Sequence, residues 1–167
     1  MLTENFPVQY TLSWTYTGVA DCYEHNDFLE FEDGMPQGDS SSIPVGEVVE
    51  AYALPGYLSD GAFQWKDDWY DFTLEEPGEV TIELLQSPQN IRSRFGLSTA
   101  TGSGVDTSSS QTTLGALHTL GPVQLEAGTY YLRWTTTENG PWFTHTGAGD
   151  PLPDHWVTPY QFIVEVN

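Results

Sequence analysis

Apolar and polar residues alternate along most of this chain, and Gly-rich and Pro-rich breaks separate the alternating stretches. A period of two is typical of strands that are buried on one face, and helical periodicity is nearly absent. Tyr70, Phe72 and Leu74, for example, fall on one face, and the residues between them are polar. The pattern predicts about eight strands, at residues 9–14, 47–54, 69–74, 79–85, 91–98, 122–125, 129–135 and 160–166.

Short strands with regularly spaced turn signals predict an all-β fold, an antiparallel β-sandwich of the jelly-roll type. The turn at residues 76–79 predicts a hairpin between the two strands that flank it. Residues 37–42 lengthen the first connection of the sandwich. Residues 99–113 are rich in Ser, Thr and Gly, a composition that predicts a flexible, solvated hairpin tip.

Residues 138–159 form an excursion that a minimal sandwich does not need, and they carry large aromatic side chains among Pro, Gly and Asp. Aromatic rings in a loop are either packed or used for binding, because their faces stack on sugar rings or pack against peptide side chains. The candidate ligand contacts are Trp142, Phe143, Trp156 and Tyr160. The alternative is that these rings cover one end of the sandwich.

The chain is strongly acidic, with 24 Asp and Glu against 4 Lys and Arg and a formal net charge of -20. Such a surface repels phosphate backbones and anionic lipid head groups, so we expect neither nucleic acid nor membrane as a partner. Cys22 is the only cysteine, which excludes an internal disulfide and a Cys/His zinc site. Residues 1–20 lack the pattern of a signal peptide and are interpreted as an N-terminal extension or added strand.

Carboxylates concentrate in two segments, residues 21–33 and residues 67–71. Converging carboxylates repel one another, and a hard divalent cation with roughly six to eight oxygen ligands is the most direct way to hold them together. Calcium is therefore the cofactor that the charge pattern favours. The alternatives are a solvated acidic surface and capped turns without a metal ion.

The order and spacing of several short motifs resemble the bacterial pre-peptidase C-terminal domain, a family similar to the collagen-binding domains of clostridial collagenases. The motifs are DCYEHND at 21–27, the Gly-containing segment 43–46, DDWYDF at 67–72, LEAGTYYL at 125–132 and the closing strand with Tyr160. The resemblance covers residues 21–166 and assigns residues 21–167 to one sandwich domain, with 138–159 as an insert. It departs from the family pattern at His25, where the family has Pro.

The resemblance implies a calcium site, because calcium-binding members of the family coordinate the ion through residues of the first and third motifs. Carried over onto this sequence, the implied ligands are Glu24, Asn26, Asp27, Asp67 and Asp68. This agrees with the inference from charge.

The sequence contains none of the common catalytic or nucleotide-binding motifs. A carboxylate pair could serve a glycosidase, but with this many acidic residues some pair is inevitable. His118, His145 and His155 are candidate bases, although a lone loop histidine more often packs or faces solvent.

We therefore expect no enzyme but a calcium-dependent extracellular or cell-surface module that binds a peptide or glycan, a monomeric unit of a larger chain such as an adhesin. The alternative function is a structural spacer or folding aid of a secreted protease.

Overall fold

The fold is taken from a computed structural model. It describes residues 23, 28–32, 35–53, 56–57, 63–64, 67–108, 112–136 and 154–167. Within these ranges the strands are β1 (Phe28–Glu32), β2 (Met35–Asp39), β3 (Ser41–Ser42), β4 (Val48–Ala51), β5 (Gly56–Tyr57), β6 (Phe63–Gln64), β7 (Asp68–Leu74), β8 (Gly78–Gln86), β9 (Ser93–Thr99), β10 (Gly104–Thr107), β11 (Thr119–Leu125), β12 (Gly128–Thr136) and β13 (Tyr160–Val166). One short helix, α1 (Asp154–Val157), precedes the last strand.

Two sheets dominate the described part of the chain. One has five strands in the order β10-β9-β12-β7-β3, and the other has four in the order β11-β8-β13-β4. Neighbouring strands are antiparallel except β3 and β7, which pair in parallel. The predicted all-β antiparallel sandwich is confirmed. The predicted strand at 9–14 lies outside the described residues.

The core lies between the two sheets and is built from alternate residues of their strands. Tyr70 and Phe72 of β7 are buried, as are Val80 and Ile82 of β8. Leu132 of β12 is likewise fully buried. Each strand thus turns one face inward, as its period-two pattern predicts.

The hairpin predicted between the strands at 69–74 and 79–85 is wrong. These strands, β7 and β8, lie in different sheets: β7 pairs with β12 and β3, and β8 pairs with β11 and β13. The turn between them carries the chain across the sandwich, so both apolar faces meet the same core. Gly78 suits this crossing, because a Cβ there would lie 2.5 Å from Cγ1 of Val166.

The solvated tip predicted at 99–113 is partly structured. Gly104–Thr107 form strand β10, which pairs with β9 at the edge of the five-stranded sheet. The turn between them is short: the Thr99 amide donates to the Ser103 carbonyl at 2.9 Å, and Gly102 has a φ of 78°. The edge strand was not predicted, because a segment rich in Ser, Thr and Gly is compatible both with a solvated loop and with a tight hairpin.

Residues 37–42, predicted as a longer connection, lie in β2 and β3 except Ser40, which joins the two strands. Hydroxyl groups of this segment bind the outward-facing carboxylate of Asp71. Ser40 donates to Oδ1 and Ser42 to Oδ2, each at 2.7 Å. These bonds fix β3 against β7 at the opposite edge of the sheet from β10.

Candidate functional site

The predicted metal ligands divide into two groups. Asp68 is the first residue of β7 and Asp67 precedes it, whereas Glu24, Asn26 and Asp27 lie outside the described residues. Within the described ranges, no group of three or more His, Cys, Asp or Glu side chains is arranged to hold a metal ion. The described residues that bear on the proposed site are Asp67, Asp68 and the described residue adjacent to Glu24.

That residue is Tyr23, which lies inside the first motif and contacts the beginning of β7. Its ring packs edge-on against the ring of Tyr70, with 5.9 Å between centroids and an interplanar angle of 78°. Its carbonyl accepts a hydrogen bond from the Ser41 hydroxyl at 3.0 Å, and Ser41 pairs with Tyr70 in the sheet. Tyr23 is thus held beside the strand that begins with Asp68.

Asp67 is paired with Arg133 of β12. Both Nε and Nη2 of Arg133 donate to Oδ2 of Asp67, with a distance of 2.7 Å from Nε. Arg133 also lies over the Trp69 ring, with its guanidinium carbon 5.5 Å from the centroid. A carboxylate has about four lone-pair sites, so an arginine that bonds one oxygen does not exhaust its capacity as a ligand.

Asp68 begins a buried chain of hydrogen bonds. Its side chain is only 7% exposed, and its Oδ2 accepts the hydroxyl proton of Tyr160. The Tyr160 and Tyr70 hydroxyl oxygens are 2.5 Å apart. Because the proton of Tyr160 is donated to Asp68, Tyr70 is the donor in the bond between the two tyrosines. Burial, together with the adjacent Asp68 carboxylate, raises the pKa of Tyr160 well above its usual value. Tyr160 therefore remains a neutral donor that orients the Asp68 carboxylate.

Tyr160 offers no face to a ligand in this structure, contrary to its prediction as a ligand contact. It is fully buried, and its ring stacks on that of Trp134 with 4.0 Å between centroids and an interplanar angle of 4°. The reason is its position in β13, where the residue alternates to the inner face with Phe162 and Val164. Its aromatic side chain made Tyr160 a candidate contact, but that property does not show which face of the strand the ring occupies.

Of the other predicted ligand contacts, Trp142 and Phe143 lie outside the described residues, and Trp156 lies on α1. The Trp156 ring is half-buried and packs edge-on against His155, with 6.0 Å between centroids. Asp154 fixes the helix to the sandwich, because its Oδ2 accepts the backbone N–H of Gln89 at 2.6 Å.

The candidate bases His118 and His155 are packing residues. The His155 Nδ1 accepts a hydrogen bond from Asn90 Nδ2 at 2.8 Å, and the His118 Nε2 lies 3.2 Å from the Ser93 hydroxyl. Burial lowers the pKa of His118 to about 4. Burial also lowers the pKa of His155 to about 4, against the opposing effect of Asp154. The third candidate, His145, lies outside the described residues.

These histidines predict a loss of stability in acid. An unfolded histidine has a pKa of about 6.5, so the unfolded chain takes up protons more readily than the folded one as pH falls. The stabilisation by neutral His118 and His155 is fully present above about pH 6.5 and is lost as pH falls towards 4. Urea unfolding at several pH values between 7.5 and 4 measures this loss of stability.

A matched variant isolates the histidine contribution. His118→Gln combined with His155→Asn keeps hydrogen-bonding atoms near the positions of Nε2 and Nδ1 but cannot take up a proton in this range. The wild-type domain should lose more stability than the double variant between pH 6.5 and 4. Parallel pH profiles for the two proteins would show that the histidines are not responsible.

Sequence reasoning missed three residues of this site: Tyr23 as the anchor, Arg133 as the partner of Asp67, and Tyr160 as the donor to Asp68. Only Arg133 carried a signal, because it is one of 4 basic residues in a chain with 24 acidic ones. The contacts of the two tyrosines join residues that are far apart in sequence, such as Asp68 and Tyr160.

Comparison with known proteins gives a structural match. No family model matches the sequence, and no curated protein matches it. Among solved structures, the chain is similar to the pre-peptidase C-terminal domain of a collagenase from Bacillus anthracis. The TM-score is 0.47 at 12% identity, over 77% of this chain and 95% of that chain.

No helix in the described part of the chain is long and apolar enough to cross a membrane.

Proposed function

We propose that this chain is a non-catalytic, calcium-stabilised extracellular binding module of the pre-peptidase C-terminal type, a unit of a larger secreted or cell-surface protein. The observation that carries the proposal is the position of Tyr23 against Tyr70. It supports a site in which Glu24, Asn26 and Asp27 meet Asp67 and Asp68.

Chain geometry makes this meeting feasible. Asp68 and Tyr70 are two residues apart on one strand, which is about 7 Å. Glu24 follows Tyr23 directly, and consecutive Cα atoms are about 3.8 Å apart. We infer that Glu24 and Asp68 share one ion, whose charge would offset the repulsion among the carboxylates.

The site residues present fit calcium in their chemistry. Carboxylate and amide oxygens are the ligands that calcium prefers, and the five proposed ligands carry only these groups. Asp68 is already oriented by Tyr160, and Asp67 by Arg133. Bound calcium would supply rigidity by joining the first acidic segment to β7.

We expect calcium to raise the free energy of unfolding. An ion that binds only the folded state adds about 2.7 kcal/mol when its free concentration is a hundredfold above Kd. Thermal melting with calcium and with excess chelator measures the difference, and Glu24→Ala should remove most of it. Asp106→Ala is the control, because Asp106 lies on β10 at the far edge of the five-stranded sheet from β3.

Wild-type melting curves that coincide with and without calcium would overturn the proposal. An equal loss of the calcium response in Glu24→Ala and Asp106→Ala would mean that calcium screens a diffuse negative field rather than filling a site.

For the ligand, the proposal keeps Trp142, Phe143 and Trp156 as contacts for an extracellular peptide or glycan. A second function, a structural spacer or folding aid of a secreted protease, is favoured by one observation. The Trp156 Nε1 atom is buried, and α1 is bonded to the loop before β9, as expected of rings that cover the sandwich. A binder needs these rings exposed and a spacer does not.

A further inference from the structure

A groove on the outer face of the five-stranded sheet gathers two of the few basic side chains of this acidic protein. Its volume is about 190 Å³. We call it the arginine groove, and its defining residues are Trp69, Arg94, Gly96, Ser98, Thr107 and Arg133. We propose that the arginine groove binds a carboxylated sugar unit of a glycan.

The two arginines differ in what they already contact. Arg133 is bound to Asp67 and lies over Trp69, so its position is fixed. Arg94 is exposed, and in the part of the chain that the structure describes no carboxylate lies within 4.0 Å of its guanidinium. In a protein with 24 acidic residues and 4 basic ones, an arginine without an ion pair is available for an anion from outside.

Gly96 opens the floor of the groove. It lies between Arg133 of β12 and Thr107 of β10 in the sheet register. A Cβ at Gly96 would find Cγ2 of Thr107 at 3.9 Å, which is ordinary van der Waals contact, so packing does not require glycine here. The absence of a side chain at Gly96 leaves the hollow above it open.

The lining favours a sugar over a peptide. Ser98, Thr107 and Thr135 line the hollow, and a polar lining with hydroxyl-bearing side chains suits the hydroxyls of a pyranose ring. Peptides are usually bound at sheet edges or in apolar pockets for side chains, and this groove crosses the outer face of the sheet. Its volume is below the roughly 300–1,000 Å³ of pockets for drug-sized ligands, which suits one ring.

The charge chemistry indicates a single carboxylate. A guanidinium binds a carboxylate through two parallel hydrogen bonds, which gives both strength and orientation. The net charge of -20 repels a polyanion, so a neutral oligosaccharide with one acidic unit fits better than a fully charged polymer. The inference rests on the proposed function only in treating the domain as a binding module; it depends on neither calcium nor residues 138–159.

The test is calorimetric titration with a xylo-oligosaccharide that carries one glucuronate. The same oligosaccharide with its carboxylate methylated is the ligand control. We expect saturable binding of the acid and about tenfold or greater loss for the methyl ester, because the charge-assisted bonds are lost. The titration is run with calcium and with chelator, so that failure of the calcium proposal leaves this result interpretable.

Protein variants locate the site. Arg94→Gln and Gly96→Val should each weaken binding about tenfold or more, the first by removing the charge and the second by filling the groove. Leu85→Glu is the control, because Leu85 is 41% exposed on the other sheet and the change alters net charge by the same amount as Arg94→Gln. Arg94 is exposed and Gly96 faces outward, so both variants should melt like the wild type.

Three outcomes would overturn the proposal. They are no binding of the glucuronate ligand, binding that Arg94→Gln and Gly96→Val leave unchanged, and equal affinity for the acid and its methyl ester. A peptide with capped termini and one Asp as its only charged residue is titrated in parallel. If it binds more tightly than the sugar and in an Arg94-dependent way, the groove is a peptide site instead.

Discussion

Replacement of Trp134 by alanine is expected to lower the free energy of unfolding by about 3–5 kcal/mol. Trp134 is 1% exposed on β12 and stacks on Tyr160 of β13, so it joins the two sheets across the core. The truncation removes the largest fully buried side chain among the described residues and leaves a cavity between the sheets. Urea unfolding followed by far-UV circular dichroism measures the loss.

Trp134→Phe is the matched control for the cavity. It keeps an aromatic ring against Tyr160 and removes the indole N–H, which is buried and has no acceptor among the described residues. The phenylalanine variant should therefore lose much less stability than the alanine variant. Equal losses in the two variants would show that the indole nitrogen, and not the volume of the ring, is what the core requires.

Replacement of Asp68 by alanine is expected to cost about 3 kcal/mol even in excess chelator. Asp68 is buried and accepts the proton of Tyr160, so its removal leaves a hydroxyl in the core without that acceptor and leaves space unfilled. Burying a hydroxyl without a partner costs about 1–3 kcal/mol, and the cavity adds to it. The measurement is urea unfolding without calcium.

Asp68→Asn separates the structural role of Asp68 from its proposed metal role. The amide oxygen still accepts from Tyr160, so in chelator this variant should be more stable than Asp68→Ala. It lacks the negative charge, so its response to calcium should be small. If Asp68→Ala unfolds at the wild-type midpoint in chelator, the hydrogen bond to Tyr160 contributes nothing to stability.

The strands of the sandwich could be predicted because their signal is local. Tyr70, Phe72 and Leu74 alternate with polar residues, and the structure buries all three. The pairing of strands could not be predicted in the same way. A Pro-Gly turn after Leu74 is equally compatible with a hairpin and with a crossing between sheets, and only the partners of β7 and β8 decide between them.

The candidate site was predictable only in part, because an acidic sequence identifies candidate ligands but not the residues that surround them. Asp67 and Asp68 are neighbours in sequence, yet one is paired with Arg133 near the surface and the other is buried against Tyr160. Asp67 precedes β7, whereas Asp68 is its first residue and lies on the inner face with Tyr70. Alternation along β13 likewise places Tyr160 inside, where its aromatic ring packs in the core.

Calcium titration of the chelator-treated domain by calorimetry tests the central claim most directly. We expect saturable calcium binding by the wild-type domain, strongly weakened binding by Glu24→Ala and by Asp68→Asn, and unchanged binding by Asp106→Ala. Absence of saturable binding by the folded wild-type domain, or equal binding by all three variants, would contradict it.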